Sequence, residues 1–279
     1  MGDTEAIEKL QATAASGDAK AQNALGEAYH DGKGVPENKA QAVELFRMAA
    51  QQGLADAQYN LGATLCEGGV SAENLAGAIE LFRMAAEQNH AKAQNALGEA
   101  YYDGKGVPRD HAEAVKWWTK AAEQGIARAQ GNLGICLLTG MGVEKNASQA
   151  VKWFRAAAGQ GDAQAQYNLG CCLFKGKGVP KDHGEAVKLW IEAAGQGEVG
   201  AQGDLSKAYR YGLGVPMDTG LAGAWQGMAQ LTKLLGSGND FSLHDPLVKA
   251  LSVLAEKTWQ RAQATKTPAT GTTAQGKMG

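Results

Sequence analysis

The chain has 279 residues, 44% hydrophobic and 20% charged, ordinary for a folded protein, with glycine the outlier at 38 residues. A formal charge of −2 gives no electrostatic case for nucleic acid or an anionic membrane surface. No stretch approaches the ~18 uninterrupted apolar residues of a membrane span, and the opening MGDTEAIEKLQATAAS lacks a basic region followed by an apolar one, so neither membrane insertion nor a secretory signal is expected.

The first element is a half unit. Ile7, Leu10 and Gly17 anticipate Val43, Phe46 and Gly53 one period later, so residues 1–19 read as an N-terminal cap. The period is 36: Leu25, Leu61, Leu97, Leu133, Leu169 and Leu205 are evenly spaced, as are Asn38, Asn74, Asp110, Asn146, Asp182 and Asp218. A fixed period of this size signals a solenoid of stacked supersecondary units. Residues 20–235 are therefore expected to form six helical hairpins, the sixth degenerate.

The unit from Ala93 to Gly125 shows the logic. Ala93, Leu97, Ala100 and Tyr101 mark one face of a first helix. Gly98 lies inside it, and its counterparts Gly26, Gly62, Gly134 and Gly170 suggest a neighbour too close for a side chain. Gly104 should stop this helix in a left-handed conformation. Gly106 lets the chain turn, Val107 plugs the crevice, Pro108 blocks continuation and Asp110 caps the second helix. Ala114, Trp118, Ala121 and Ala122 share one face of that helix. Phe46, Phe82, Trp118, Phe154 and Trp190 should fill the core between repeats. In the second unit the turn reads CEGGVS, with Asn74 still in cap register, and Asn89 replaces the terminal glycine, tolerating a left-handed backbone.

After the sixth unit, Gly236–Asp240 reads as a loop and Asp245-Pro246 as a helix start. Leu247, Leu251, Leu254 and Trp259 supply an apolar stripe, so residues 236–265 are expected to hold a capping helix with a polar outer face. Residues 266–279 carry no periodicity and should be disordered.

No chemistry-bearing constellation stands out. The GKGVP strings at Gly32, Gly104 and Gly176 lack phosphate-loop spacing and follow a helix rather than a strand. Cys66, Cys136, Cys171 and Cys172 form no CxxC and read as reduced thiols of a cytoplasmic protein. His111 and His183 share one slot after the cap and are expected to be solvated. No cofactor, metal or catalytic residue is expected.

Ala93, Leu97, Gly98, Tyr101, Gly104, Gly106, Val107, Asp110, Ala114, Trp118, Ala121, Ala122 and Gly125 together resemble the Sel-1-like repeat, a relative of the tetratricopeptide repeat. Residues 21–197 carry five good units. The resemblance implies an all-α, right-handed superhelical solenoid whose first helices line a concave surface. It implies protein-interaction, scaffold or adaptor roles. Secreted relatives carrying paired cysteines are not matched, since Ala50, Gln58, Ala86 and Gln94 occupy those places.

At ~100° per residue, positions two before, two after and five after the repeat leucine face away from its core side. This face is polar in the first unit and becomes apolar and aromatic in the fourth and fifth. Tyr59, Tyr102, Ile135, Leu138, Tyr167 and Phe174 are expected to line one groove for a partner peptide or helix, with Lys207 and Arg210 at its C-terminal end. The competing reading is that the stripe is core; self-association, giving a homo-oligomer, is a third. The expected function is a non-catalytic scaffold binding a protein or peptide partner, with an enzyme of unknown type as the alternative.

Overall fold

A computed structural model describes residues 2–67, 71–235 and 244–264. The expected Gly236–Asp240 loop, the middle of the CEGGVS turn and the 266–279 tail lie outside the described residues. Fourteen α-helices and no strand occur among the described residues. They fall into two compact units, residues 1–146 and 147–279.

The first unit holds α1(Gly2–Ala15), α2(Ala19–Asp31), α3(Lys39–Gln51), α4(Ala55–Glu67), α5(Ala72–Glu87), α6(Ala91–Asp103), α7(His111–Glu123) and α8(Ala127–Thr139). Each helix packs on the next in sequence. The half unit read from Ala6 to Gly17 is α1, which packs on α2 through buried Ala14 and half-buried Leu10. The second unit holds α9(Ala147–Gly159), α10(Ala163–Lys175), α11(His183–Gly195), α12(Val199–Tyr211), α13(Thr219–Leu235) and α14(His244–Ala264). Here too consecutive helices pair up to α13, while α14 packs on α11 and α13.

Three repeated devices make the hairpin. The first is the pairing of the mid-helix glycine with the ring of the second helix. A Cβ on Gly26 would lie 2.6 Å from Phe46 Cε1, and one on Gly170 would lie 2.5 Å from Trp190 Nε1. The rings are buried, Phe46 at 2% and Trp118 at 2% exposure. Helix propensity is thus given up, at ~1 kcal/mol per glycine, to let an aromatic ring lie against helical backbone.

The second device is the turn. Gly32, Gly104, Gly140, Gly176 and Gly212 end the first helices with φ between 66° and 82°, as the left-handed stop requires. Gly106 and its equivalents do more than turn. A Cβ on Gly106 would lie 2.9 Å from Ile79 Cγ1 and Leu75 Cγ, so this glycine also brings the turn against the preceding second helix. The following cap residue donates its backbone N–H back to the first helix, as Asp110 does to Tyr101 O at 2.9 Å. Its carboxylate then accepts from Ala112 and Glu113 amides at 2.9 and 3.0 Å. Asn38, Asp182 and Asp218 cap in the same way.

The second repeat departs from this scheme. Its second helix, α5, starts at Ala72, and Ser71 Oγ accepts from the Asn74 amide at 3.1 Å. Ser71 is the cap and Asn74 lies inside the helix, which gains nearly a turn because the serine offers an acceptor three residues early. Asn89 keeps the left-handed backbone expected of it, at φ 66°.

The third device is a buried glutamine ladder, which the sequence reading passed over. Gln22, Gln58, Gln94, Gln130, Gln166 and Gln202 are 0–6% exposed. Gln94 Nε2 donates to Ala86 O at 3.2 Å, while Gln94 Oε1 accepts from Gln124 Nε2 at 2.7 Å. Gln22, with Ala14 and Gln52, and Gln58, with Ala50 and Gln88, repeat the pattern. In the second unit Gln196 donates to Gln166, and Thr232 replaces the donor to Gln202. The amides of Gln22, Gln58, Gln94, Gln166 and Gln202 are thereby satisfied on both sides, which burial of a polar group demands.

The C-terminal helix differs from expectation. It begins at His244, ahead of the expected Asp245 cap. Its buried side is Val248, Leu251, Ala255 and Trp259, whereas Leu247 and Leu254 are about half exposed. The apolar stripe is rotated by one residue because α11 offers a seat at Gly184 and Gly195. Trp259 Nε1 donates to Gly184 O at 3.1 Å, and a Cβ on Gly195 would meet Ser252 Oγ at 2.9 Å. Tyr209, fully buried in α12, donates to Ala255 O at 3.1 Å.

Candidate functional site

In the first unit the outward face of the first helices is built from α2, α4, α6 and α8. Its N-terminal part is polar. Asn60 Nδ2 bridges Asn23 Oδ1 at 3.0 Å and Glu27 Oε1 at 2.9 Å. Asn60 precedes the repeat leucine, a column (Asn60, Asn132, Asn168, Asp204) the sequence reading had not assigned to this face. Farther along, Tyr59 is half-buried, its ring 5.8 Å from Phe82 and 4.9 Å from His90. Burial, and then the charge of Glu99, push its phenol pKa up.

Tyr102 leans on Trp118 at 5.3 Å and on His111 at 5.0 Å. Glu99, Tyr102, Arg128, Asn132 and Ile135 line a depression of about 360 Å³ above Trp118. Arg128 Nε lies 3.6 Å from Glu99 Oε1, with its side chain 69% exposed. Asn95 donates to Glu99 at 3.2 Å, yet its buried Oδ1 has no hydrogen-bond partner. Of the expected residues, Tyr102 and Ile135 share this depression; Tyr59 and Leu138 are half-buried and lie outside its lining.

In the second unit Phe174 stacks on His183 at 4.4 Å and tilts onto Trp190 at 5.2 Å. Tyr167 donates to Asp204 Oδ2 at 3.3 Å and packs against Gly200, where a Cβ would lie 2.7 Å from its ring. Both rings are half-buried and pack against the unit's core cluster. They form the walls of the face rather than free anchors. Cys171, Phe174, Trp190, Lys207 and Tyr211 line a depression of about 380 Å³. Lys207 pairs with Asp204 at 2.8 Å, and Arg210 donates to Gln226 at 2.6 Å. Lys207 is held above its usual pKa by that carboxylate, and burial pushes the Cys171 thiol up.

His111 and His183 correct an expectation. Neither is simply solvated: each is half-buried and lies under an aromatic ring of the face. The slot just after the cap points back beneath the first helix, so an aromatic at leucine-plus-five finds an imidazole below it. Among the described residues, no three His, Cys, Asp or Glu side chains converge as metal ligands would, and no helix is long and apolar enough to cross a membrane. All four cysteines are free thiols.

Comparison with known proteins follows the same lines. The Sel1 repeat family pattern matches at residues 19–54, 55–90, 91–126, 127–162, 163–198 and 199–225. A Sel1 repeat protein from Oxalobacter formigenes is 35% identical in sequence, with a TM-score of 0.72, over 81% of this chain and 90% of that one. The protective antigen c5321 of uropathogenic Escherichia coli, described as having an SLR fold, is also 35% identical, with a TM-score of 0.78. That likeness covers 99% of this chain but 61% of c5321, so the chain spans only part of that relative's length. Comparison with curated proteins gives no match. The period, the glycine-ring pairing and six consecutive repeat matches converge: the chain belongs to the Sel1 repeat family.

Proposed function

We propose that the protein is a non-catalytic interaction scaffold in the cytoplasm, whose first-helix faces bind a segment of a protein partner. The first-unit depression carries this reading. It sets Tyr102 and Ile135 beside an exposed guanidinium (Arg128), the carboxylates of Glu99 and Asp103 and the Asn132 carboxamide. A few aromatic and apolar side chains set among charged and amide groups suit a peptide, whose backbone N–H and C=O can pair with them. Tyr59 and Leu138 border this face in the same reading. In the second unit, Tyr167 and Phe174 supply the walls, and Lys207 and Arg210 supply charge that favours an acidic segment.

Two observations favour binding over catalysis. Cys171, at the second-unit face, is held protonated by burial, the opposite of what a nucleophilic thiol needs. At the same face Tyr167 and Lys207 are engaged by Asp204, and Arg210 by Gln226, rather than standing as a nucleophile beside a base. The free thiols fit a reducing compartment.

Affinity capture with the wild-type chain beside Arg128→Glu and Lys207→Glu variants tests the reading. Both side chains are mostly exposed, so the fold should survive. A partner retained by wild type and lost from at least one variant supports it; retention equal across all three counts against it.

A further inference from the structure

Successive first helices meet side by side, as Asn60 of α4 meets Asn23 and Glu27 of α2. The α10 and α12 pair shows what this meeting looks like. Tyr167 of α10 fills the space against Gly200 and donates to Asp204, both on α12. One period later the position of Tyr167 is Gly203, on α12. A Cβ built there would meet nothing within 4 Å. Among the described residues α14 packs on α11 and α13 rather than on α12. A depression of about 420 Å³ remains between α12 and α13, bordered by Gly203, Lys207, Arg210, Tyr211 and Lys233. Tyr211 is 63% exposed. Three bases and no carboxylate line it among the described residues.

We propose that this end of the array is a docking seat for an acidic helix of a partner protein, laid on α12 and α13 as a further first helix would be. The seat carries no side chain of its own at Gly203, so the incoming helix must bring a bulky side chain to fill that space. Its charge must be negative to match Lys207, Arg210 and Lys233, of which, among the described residues, only Lys207 has a carboxylate beside it, at 2.8 Å from Asp204. A helix of about 13 residues, the length of α10 and α12 themselves, spans the seat. The proposal goes beyond the binding faces described above, with which it shares Lys207, Arg210 and Tyr211.

The test is a display library of 13-residue helical peptides selected against the full chain, with Gly203→Trp and Lys233→Glu as the discriminating variants. Lys233, on α13, lies outside the first-helix faces proposed above, so an unchanged affinity on Lys233→Glu leaves that reading standing, and the reverse; Gly203 shares the outward face of α12 with Lys207 and Arg210. Gly203 is open, so the tryptophan should occupy the seat without disturbing the fold, which circular dichroism checks. Selected helices should be net acidic, carry an aromatic or large aliphatic residue, and lose about tenfold or more in affinity on each variant, the loss typical of a central anchor. Selected helices that are neutral or basic, or that bind both variants like wild type, overturn the proposal. Absence of any binder also overturns it. So does a concentration-dependent dimer in light scattering that Gly203→Trp dissociates, because the seat would then serve a second copy of this chain.

Discussion

Replacing Gly98 with alanine should weaken the protein, although alanine is the better helix former. In an unconstrained helix the change is worth ~1 kcal/mol in favour of alanine. Here the new Cβ would lie 2.8 Å from Trp118 Cγ, and closer still to Cδ1 and Nε1. Trp118 is 2% exposed and wedged among Tyr102, α6 and α7, so its rigid ring cannot retreat without opening the core. Overpacking of this kind costs about 1–3 kcal/mol. The expected net is a loss of roughly 0–2 kcal/mol, the difference of those two effects. Gly77 supplies the internal control. It lies in the interior of α5, with nothing within 4 Å of a built Cβ. Gly77→Ala should therefore stabilise by up to ~1 kcal/mol. Urea midpoints followed by circular dichroism report both variants. Movement of the two midpoints in the same direction, by similar amounts, would refute the assignment of the repeated glycine to ring contact.

Further outcomes follow from the other devices. Ser71→Ala should cost about 0.5–2 kcal/mol and Asn74→Ala far less, read from urea midpoints, because serine caps α5. Asp110→Ala should cost about as much as Ser71→Ala, while Asp110→Asn keeps the cap and most of the stability. Gln94→Ala removes the partner of both Ala86 O and Gln124 Nε2 and should cost on the order of 1–3 kcal/mol in the same assay. His90 Nδ1 accepts the Ala93 amide at 3.1 Å, Nε2 faces Asp56 at 3.3 Å, and burial lowers the imidazole pKa against the pull of Asp56 and with help from Lys92. The unfolded state then binds the proton more readily, so this stability is fully present above ~6.5 and is lost as pH falls through the lower folded value. His90→Asn, a cap that does not titrate, should flatten that part of the stability-pH curve; an unchanged slope would remove His90 as its source.

The helical array was legible because its determinants recur in phase. Leucine, mid-helix glycine, stop glycine and cap each act locally, so one unit explains the others. The glutamine ladder was equally periodic but was passed over, since glutamine is usually exposed and its burial depends on carbonyls and amides of two other helices. Ser71 was missed because the cap was read by register rather than by which side chain first offers an acceptor. At the faces, the residue types of Tyr102, Ile135 and Phe174 were visible in the sequence, but the imidazoles beneath Tyr102 and Phe174 were not. Whether a ring stands free or lies on a neighbouring helix is set by packing between the first helices of successive repeats, as Tyr167 on Gly200 shows. The orientation of α14 depends on Gly184 and Gly195, two small residues on α11 that only the assembled fold brings under it.

The scaffold claim rests on first-helix faces being the surfaces that hold a partner. Calorimetric titration of a captured partner against the full chain tests this most directly, comparing Arg128→Glu on α8 and Lys207→Glu on α12 with Lys116→Glu on the exposed side of second helix α7. Lys116 is 57% exposed, and its contacts with Glu113 and the Trp117 ring are solvent-exposed surface ones, so its replacement should hardly affect stability. The account predicts a loss of about tenfold or more in affinity for at least one first-helix variant and no change for Lys116→Glu. Affinity lost only with Lys116→Glu, and kept in both first-helix variants, would contradict it.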